Sequence, residues 1–135
     1  MALRVDPANG IDRSWAEDEV APEWDRLTGA DGLVARRGNE IVGHAWHRDG
    51  ELTWLWVDLH HRHTGVATAL VAAIDGSLRV RITNDDLGAL RFFQRRGFRL
   101  TGARIGVRGL DGDGYYGIRV RDQLHLARVG RGSDR

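Results

Sequence analysis

The sequence contains no cysteine. That excludes disulfides, a thiolate metal site and a cysteine nucleophile. It contains no lysine either: all 20 basic residues are arginine, so no lysine side chain can catalyse or be acylated. A biased composition accounts for this more simply than selection for guanidinium chemistry. No apolar stretch approaches the ~20 residues that a membrane-spanning helix requires. The opening residues, MALRVDPANG, lack the apolar core of a signal peptide. These absences point to a cytoplasmic protein with no membrane partner.

What is present is ordinary for a folded chain. With 135 residues, 41% hydrophobic and 29% charged, residues 1–135 are expected to form a single domain with one core. The net charge of +1 argues against a polyanion binder, although charge is unevenly placed. Asp12 to Asp31 is acid-rich, whereas Arg91, Arg95, Arg96, Arg99, Arg104 and Arg108 follow one another with no acid between them. Phe92, Phe93 and Phe98 interleave with these arginines, a pattern compatible with nucleic acid. At helical spacing, however, the phenylalanines pack inward and the arginines stay solvated, so no nucleic-acid partner is expected.

LRV near the start reads as a short edge strand. Ser14 and Glu17 fit a capping box opening a helix through WAEDEV, which Pro22 interrupts. The period then changes to two: GLVAR, EIVGHAWH and ELTWLWVDL read as three strands of an antiparallel meander. Asp49-Gly50 is a strong hairpin signal between the last two. Strict alternation in the third strand places Glu51, Thr53, Leu55 and Val57 on one face. VATALVAAI is helical and stops at Asp75-Gly76; LRVRIT is a strand. LGALRFFQRR forms a helix with Asp85 or Asp86 as N-cap and Gly97 as C′ residue. FRLTGARIGVR and GYYGIRVRDQLHL complete the order β-α-βββ-α-β-α-ββ, a mixed α/β chain.

The stretch RHTGVA, Arg62 to Ala67, lies between a strand and a helix. Its small residues let backbone approach a ligand, and the free N–H groups and dipole of the following helix favour an anion there. Arg62 adds a fork of donors suited to phosphate. The same turn could equally bind only water.

Arg-x-x-Gly-x-Ala after LWVDLHH resembles the Arg/Gln-x-x-Gly-x-Gly/Ala signature of the GCN5-related N-acetyltransferase (GNAT) family. TNDDLGALRFFQRRGF resembles that family's later motif, and together the resemblance covers residues 33–102. It implies a mostly antiparallel sheet flanked by helices, compact, with splayed central strands. It implies transfer of an acetyl group from acetyl-CoA to a primary amine of a small molecule or peptide, by direct attack in a ternary complex. Leu55, Trp56 and Val57 would line the pantetheine arm, with the Val57 N–H polarising the thioester. Arg62, His63, Thr64, Gly65, Val66, Ala67 and Thr68 would hold the pyrophosphate. Glu51, 11 residues before Arg62, is the candidate base, with His44 and Asp58 as alternatives.

This chain departs from the family's pattern in three places. Phe93 stands where a tyrosine is usual, so it can pack against pantetheine but has no proton for the departing thiolate; Tyr115 and Tyr116 are the alternative donors. Asp86 replaces the usual asparagine, for which Asn84 can substitute as donor. The helix after the turn is short. A module that binds acyl-CoA without turnover is therefore the alternative function. His60, His61 and His63, with Asp58, invite a metal, but neighbouring residues of an extended chain point in opposite directions and no metal is expected. Trp15 or Trp24 could line an acceptor pocket, and Asp18, Glu19 and Glu23 would suit a cationic acceptor. Exposed strands of the last hairpin could pair two copies in a homodimer.

Overall fold

The computed structural model describes residues 2–20, 26–110 and 118–130, with side chains described outside 106–122. The order is β1 (Leu3–Pro7), α1 (Gly10–Val20), β2 (Asp31–Arg37), β3 (Glu40–Arg48), β4 (Glu51–Val57), a 3-10 turn (Leu59–His61), α2 (Val66–Ala72), β5 (Leu78–Thr83), α3 (Leu87–Arg95), β6 (Arg99–Leu110) and β7 (Ile118–Arg128). It is the mixed α/β order read from the sequence. Two compact units divide it, Met1–Gly76 and Ser77–Arg135. Among the described residues, no helix is long and apolar enough to cross a membrane.

The first unit is a four-stranded meander in the order β1-β2-β3-β4, every neighbouring pair antiparallel. Asp49 and Gly50 turn the β3–β4 hairpin with φ of 52° and 76°, the left-handed pair that matches strand twist. Helix α1 begins earlier than expected. Asn9 and Asp12 form the reciprocal box: Asn9 Oδ1 accepts from Asp12 N at 2.8 Å, and Asp12 Oδ2 from Asn9 N at 3.1 Å. Ser14 and Glu17, which satisfy the same pattern, instead lie inside the helix. Asp12 is nearly fully buried, and its other oxygen pairs with Arg36 of β2.

That ion pair fixes α1 on one side of the meander. Its buried stripe Asp12, Ala16 and Val20 repeats every four residues. Ala16, Val20, Leu27, Ala30 and Trp46 then form one core cluster. Gly32 lies beneath Trp46, where a Cβ would come within 2.4 Å of the indole. Helix α2 covers the opposite side. At Gly43 a Cβ would meet Val66 Cγ1 and the Trp56 carbonyl, each at 2.8 Å, and Leu70 Cδ1 at 3.1 Å. The absence of a side chain there lets α2 rest directly on the sheet.

The second unit has the order β5-β7-β6, again antiparallel. Leu78, Val80 and Ile82 are buried while Arg79 and Arg81 between them are exposed, the alternation of a half-buried strand. Asp86 caps α3 by accepting from Ala89 N at 3.0 Å. Gly97, at φ 87°, ends it, with Phe98 N reaching the Phe93 carbonyl at 3.1 Å. Both ends of α3 are as the sequence predicts.

Candidate functional site

Strand β4 stops at Val57 rather than continuing to Leu59, because Asp58 caps a 3-10 turn. Its Oδ2 accepts from His60 N at 3.1 Å and lies 2.9 Å from His61 Nδ1. The bond to His61 is the main cause holding the Asp58 carboxyl below its ordinary range, which makes it a poor base. Asp58 N donates to the Val42 carbonyl at 2.8 Å. The adjacent pair, Gly43 with Val57, is therefore the non-hydrogen-bonded kind, as is Ala45 with Leu55 two residues back. The backbone N–H and C=O of Leu55 and Val57 consequently point away from β3. Those of Trp56 point towards it.

The turn after β4 is exposed from Arg62 to Gly65. His63 and Gly65 both have positive φ, 63° and 88°. The strained His63 conformation is held by local bonds: Thr64 Oγ1 donates to the His61 carbonyl. Arg37 of β2 reaches across with Nη2 3.1 Å from the Thr64 carbonyl. Nothing in the sequence pattern singles out Arg37, since its contact spans 27 residues. Arg62 Nε donates to the Val57 carbonyl at 3.4 Å. Gly65 is the N-cap of α2 and offers no side-chain cap. The first-turn N–H groups of a helix lack a carbonyl partner within it, and those of Val66 and Ala67 lie beside this arginine-bearing turn. Val66 itself is buried; Ala67 is half-buried and Thr68 exposed.

The sequence matches the family model for the acetyltransferase (GNAT) domain over residues 28–100, more than half of the chain and reaching into both units. The chain belongs to the GNAT acetyltransferase family. Several solved structures share the fold. A GNAT acetyltransferase from Elizabethkingia anophelis with acetyl-CoA bound has a TM-score of 0.71 at 19% identity, covering 94% of this chain and 97% of the other. A ribosomal-protein alanine N-acetyltransferase from Escherichia coli has a TM-score of 0.74 at 13% identity, covering 95% and 94%. A GNAT-family acetyltransferase from Streptococcus pneumoniae gives 0.69 at 13%, covering 95% and 99%. No curated protein matches the sequence.

Within this GNAT chain one expectation about β4 is overturned. Trp46 pairs with Trp54 but His47 pairs with Leu52, so Thr53 is an extra residue in the strand. Thr53 Oγ1 donates to the Trp46 carbonyl at 3.1 Å. The bulge reverses the alternation. Glu51 pairs with Arg48, which puts it on the α1 side with Trp54 and Trp56, not on the α2 side with Leu55 and Val57. Six residues of strand, roughly 20 Å, also separate Glu51 from Val57.

His44 is fully buried. Its Nδ1 accepts from Trp46 Nε1 at 2.9 Å, which places the ring proton on Nε2. Nε2 is buried with no hydrogen-bond partner, and burial pulls the imidazole from 6.5 down to about 4. The ring is neutral at pH 7 and its one basic nitrogen is occupied, so His44 cannot serve as the alternative base.

In the second unit, Asn84 and Asp86 are exposed around the start of α3, and Asp86 is committed to its cap. Phe93 is buried, with ring centroids 5.0 Å from Phe92 and from Phe98 in edge-on contacts. Arg96 lies 3.7 Å over Phe92, while Arg91 and Arg95 are exposed. Tyr115, Tyr116, Glu23 and Trp24 fall outside the described residues. Among the described residues, one trio has donor atoms close enough to share a cation: Glu40, Asp58 and His61, all within 4.8 Å. His60 and His63 are not part of it.

Proposed function

We propose that this GNAT protein transfers an acetyl group from acetyl-CoA to a primary amine by direct attack in a ternary complex. The observation that carries the reading is the outward backbone of Leu55 and Val57 leading straight into the uncapped start of α2. The pantetheine arm carries amides, and extended backbone N–H and C=O groups directed away from β3 suit their pairing. Five residues beyond Val57, Arg62 and the turn through Thr68 present a guanidinium and helix N–H groups to the pyrophosphate. The Val57 N–H is the donor to the thioester oxygen, where charge accumulates during attack.

An alkylammonium with a pKa near 10 must lose a proton before it attacks. We assign that proton to Glu51 acting through intervening water, because its distance from Val57 excludes direct contact. Phe93 has no proton to offer the departing thiolate. Coenzyme A leaves as the thiolate and is protonated from solvent, slower than with an acid in place. That same substitution favours a second reading, acyl-CoA binding without turnover. Calorimetry with coenzyme A tests the donor site, and free-thiol release with a panel of amines tests turnover. Failure to bind coenzyme A at millimolar concentration would remove both readings; binding without thiol release would leave only the second.

A further inference from the structure

On the α1 side of the first unit, Trp15 and Trp56 are half-buried indoles in contact, centroids 5.7 Å apart at 64°. His44 backs both: it stacks on Trp56 at 5.2 Å and 29°, and meets Trp15 edge-on at 5.7 Å and 87°. A fully buried neutral ring behind them holds the two indoles in one arrangement. Two other tryptophans lie on this side, and each carries an arginine over its face: Arg13 is 4.7 Å from the Trp46 centroid and Arg26 is 5.7 Å from that of Trp54. Among the described residues, no cation lies over Trp15 or Trp56.

The surroundings of Trp15 are apolar and acidic. Ile11, one helical turn before it, is 82% exposed. Asp18 and Glu19, three and four residues after it, are exposed on the same flank of α1. The last turn of α1 contains no basic residue. Arg13, the helix's one cation, is committed to the carbonyls of Leu27 at 3.0 Å and Ala30 at 2.6 Å.

We propose that Trp15 and Trp56 form the acceptor-side wall of the enzyme and that this wall binds an organic cation. The acceptor is an amine whose carbon chain bears a second, permanent positive group. That group rests on the indole faces, which attract cations, while Asp18 and Glu19 draw it in from solution. Ile11 covers the carbon chain. A retained charge at the far end lets the reacting nitrogen lose its proton without loss of binding. This inference rests on the donor site proposed above, since Trp56 belongs to the same strand as Leu55 and Val57.

The test compares three primary amines: agmatine, whose far end is a guanidinium; 5-aminopentanoate, whose far end is a carboxylate; and pentylamine, whose far end is uncharged. Each is titrated by calorimetry with and without coenzyme A, and each is tried as acceptor. Agmatine should bind at least about tenfold more tightly than the other two. Trp15→Leu should weaken agmatine by about tenfold and leave pentylamine and coenzyme A affinities unchanged. The double change Asp18→Asn with Glu19→Gln touches only exposed side chains; it should weaken agmatine several-fold and flatten its salt dependence. Equal affinity for the three amines, no agmatine binding at millimolar concentration, or equal loss of all three in Trp15→Leu would overturn the proposal. Loss of coenzyme A binding by the wild type, with agmatine still bound, would instead overturn the donor site.

Discussion

Mild acid should destabilise this protein through a single buried ring. In the unfolded chain His44 titrates at its ordinary 6.5, whereas in the fold burial holds it at about 4. Below 6.5 the unfolded state therefore binds a proton that the folded state refuses, and stability falls as pH falls. The contribution is intact above pH 6.5, declines through the interval down to 4, and is constant below it. At 1.36 kcal/mol per pH unit the full loss is about 3.4 kcal/mol, of which about 2 kcal/mol develops between pH 7 and pH 5. That is a large share of the 5–15 kcal/mol typical of a domain. Asp58 does not interfere, because its carboxyl is held low and its contribution is lost only below about pH 3.8. The assay is urea unfolding at several pH values on wild type and His44→Phe. The variant leaves Trp46 Nε1 without its acceptor, a loss of about 1–3 kcal/mol at every pH, but between pH 7 and pH 5 it should lose about 2 kcal/mol less than the wild type. Equal slopes in the two proteins would refute the reasoning. Nitrogen-15 NMR on the wild type gives an independent check: a His44 midpoint near 6.5, or a proton on Nδ1, would refute it as well.

Three further outcomes follow from named contacts. Gly43→Ala drives a methyl into the Trp56 carbonyl and Val66; overpacking of this kind costs about 1–3 kcal/mol. By lifting α2 it should also weaken coenzyme A binding in calorimetry, while an alanine at exposed Gly88, which meets only Asp86 Oδ1 at 3.8 Å, leaves affinity intact. Asp86→Ala removes the α3 cap and should lower stability by about 1 kcal/mol, read as a lower Tm. Glu51→Gln should lower kcat/KM for the amine acceptor; an unchanged kcat/KM would show that solvent alone deprotonates the amine.

Much of the proposed site was legible in the sequence alone. RHTGVA was recognisable because a strand-to-helix turn that must approach a ligand needs small residues at fixed spacing. The α3 ends were legible because Asp86 and Gly97 act on backbone groups within a few residues of themselves. The helix start at Asn9 was not, since Asn9/Asp12 and Ser14/Glu17 offer the same spacing. What selected the first was Arg36, 24 residues away, pairing with Asp12. The Arg37 contact with Thr64 was hidden for the same reason.

By itself the sequence determined the order of elements, the β3–β4 turn, the caps of α3 and the small-residue turn before α2. Each depends on local torsions or on hydrophobic period. The tertiary structure alone decided which side of β4 Glu51 occupies, whether His44 is charged, and which indoles remain open. A bulge exists only as a mismatch in length between paired strands, and a pKa shift exists only where distant residues exclude water. Neither is a property of any short stretch of chain.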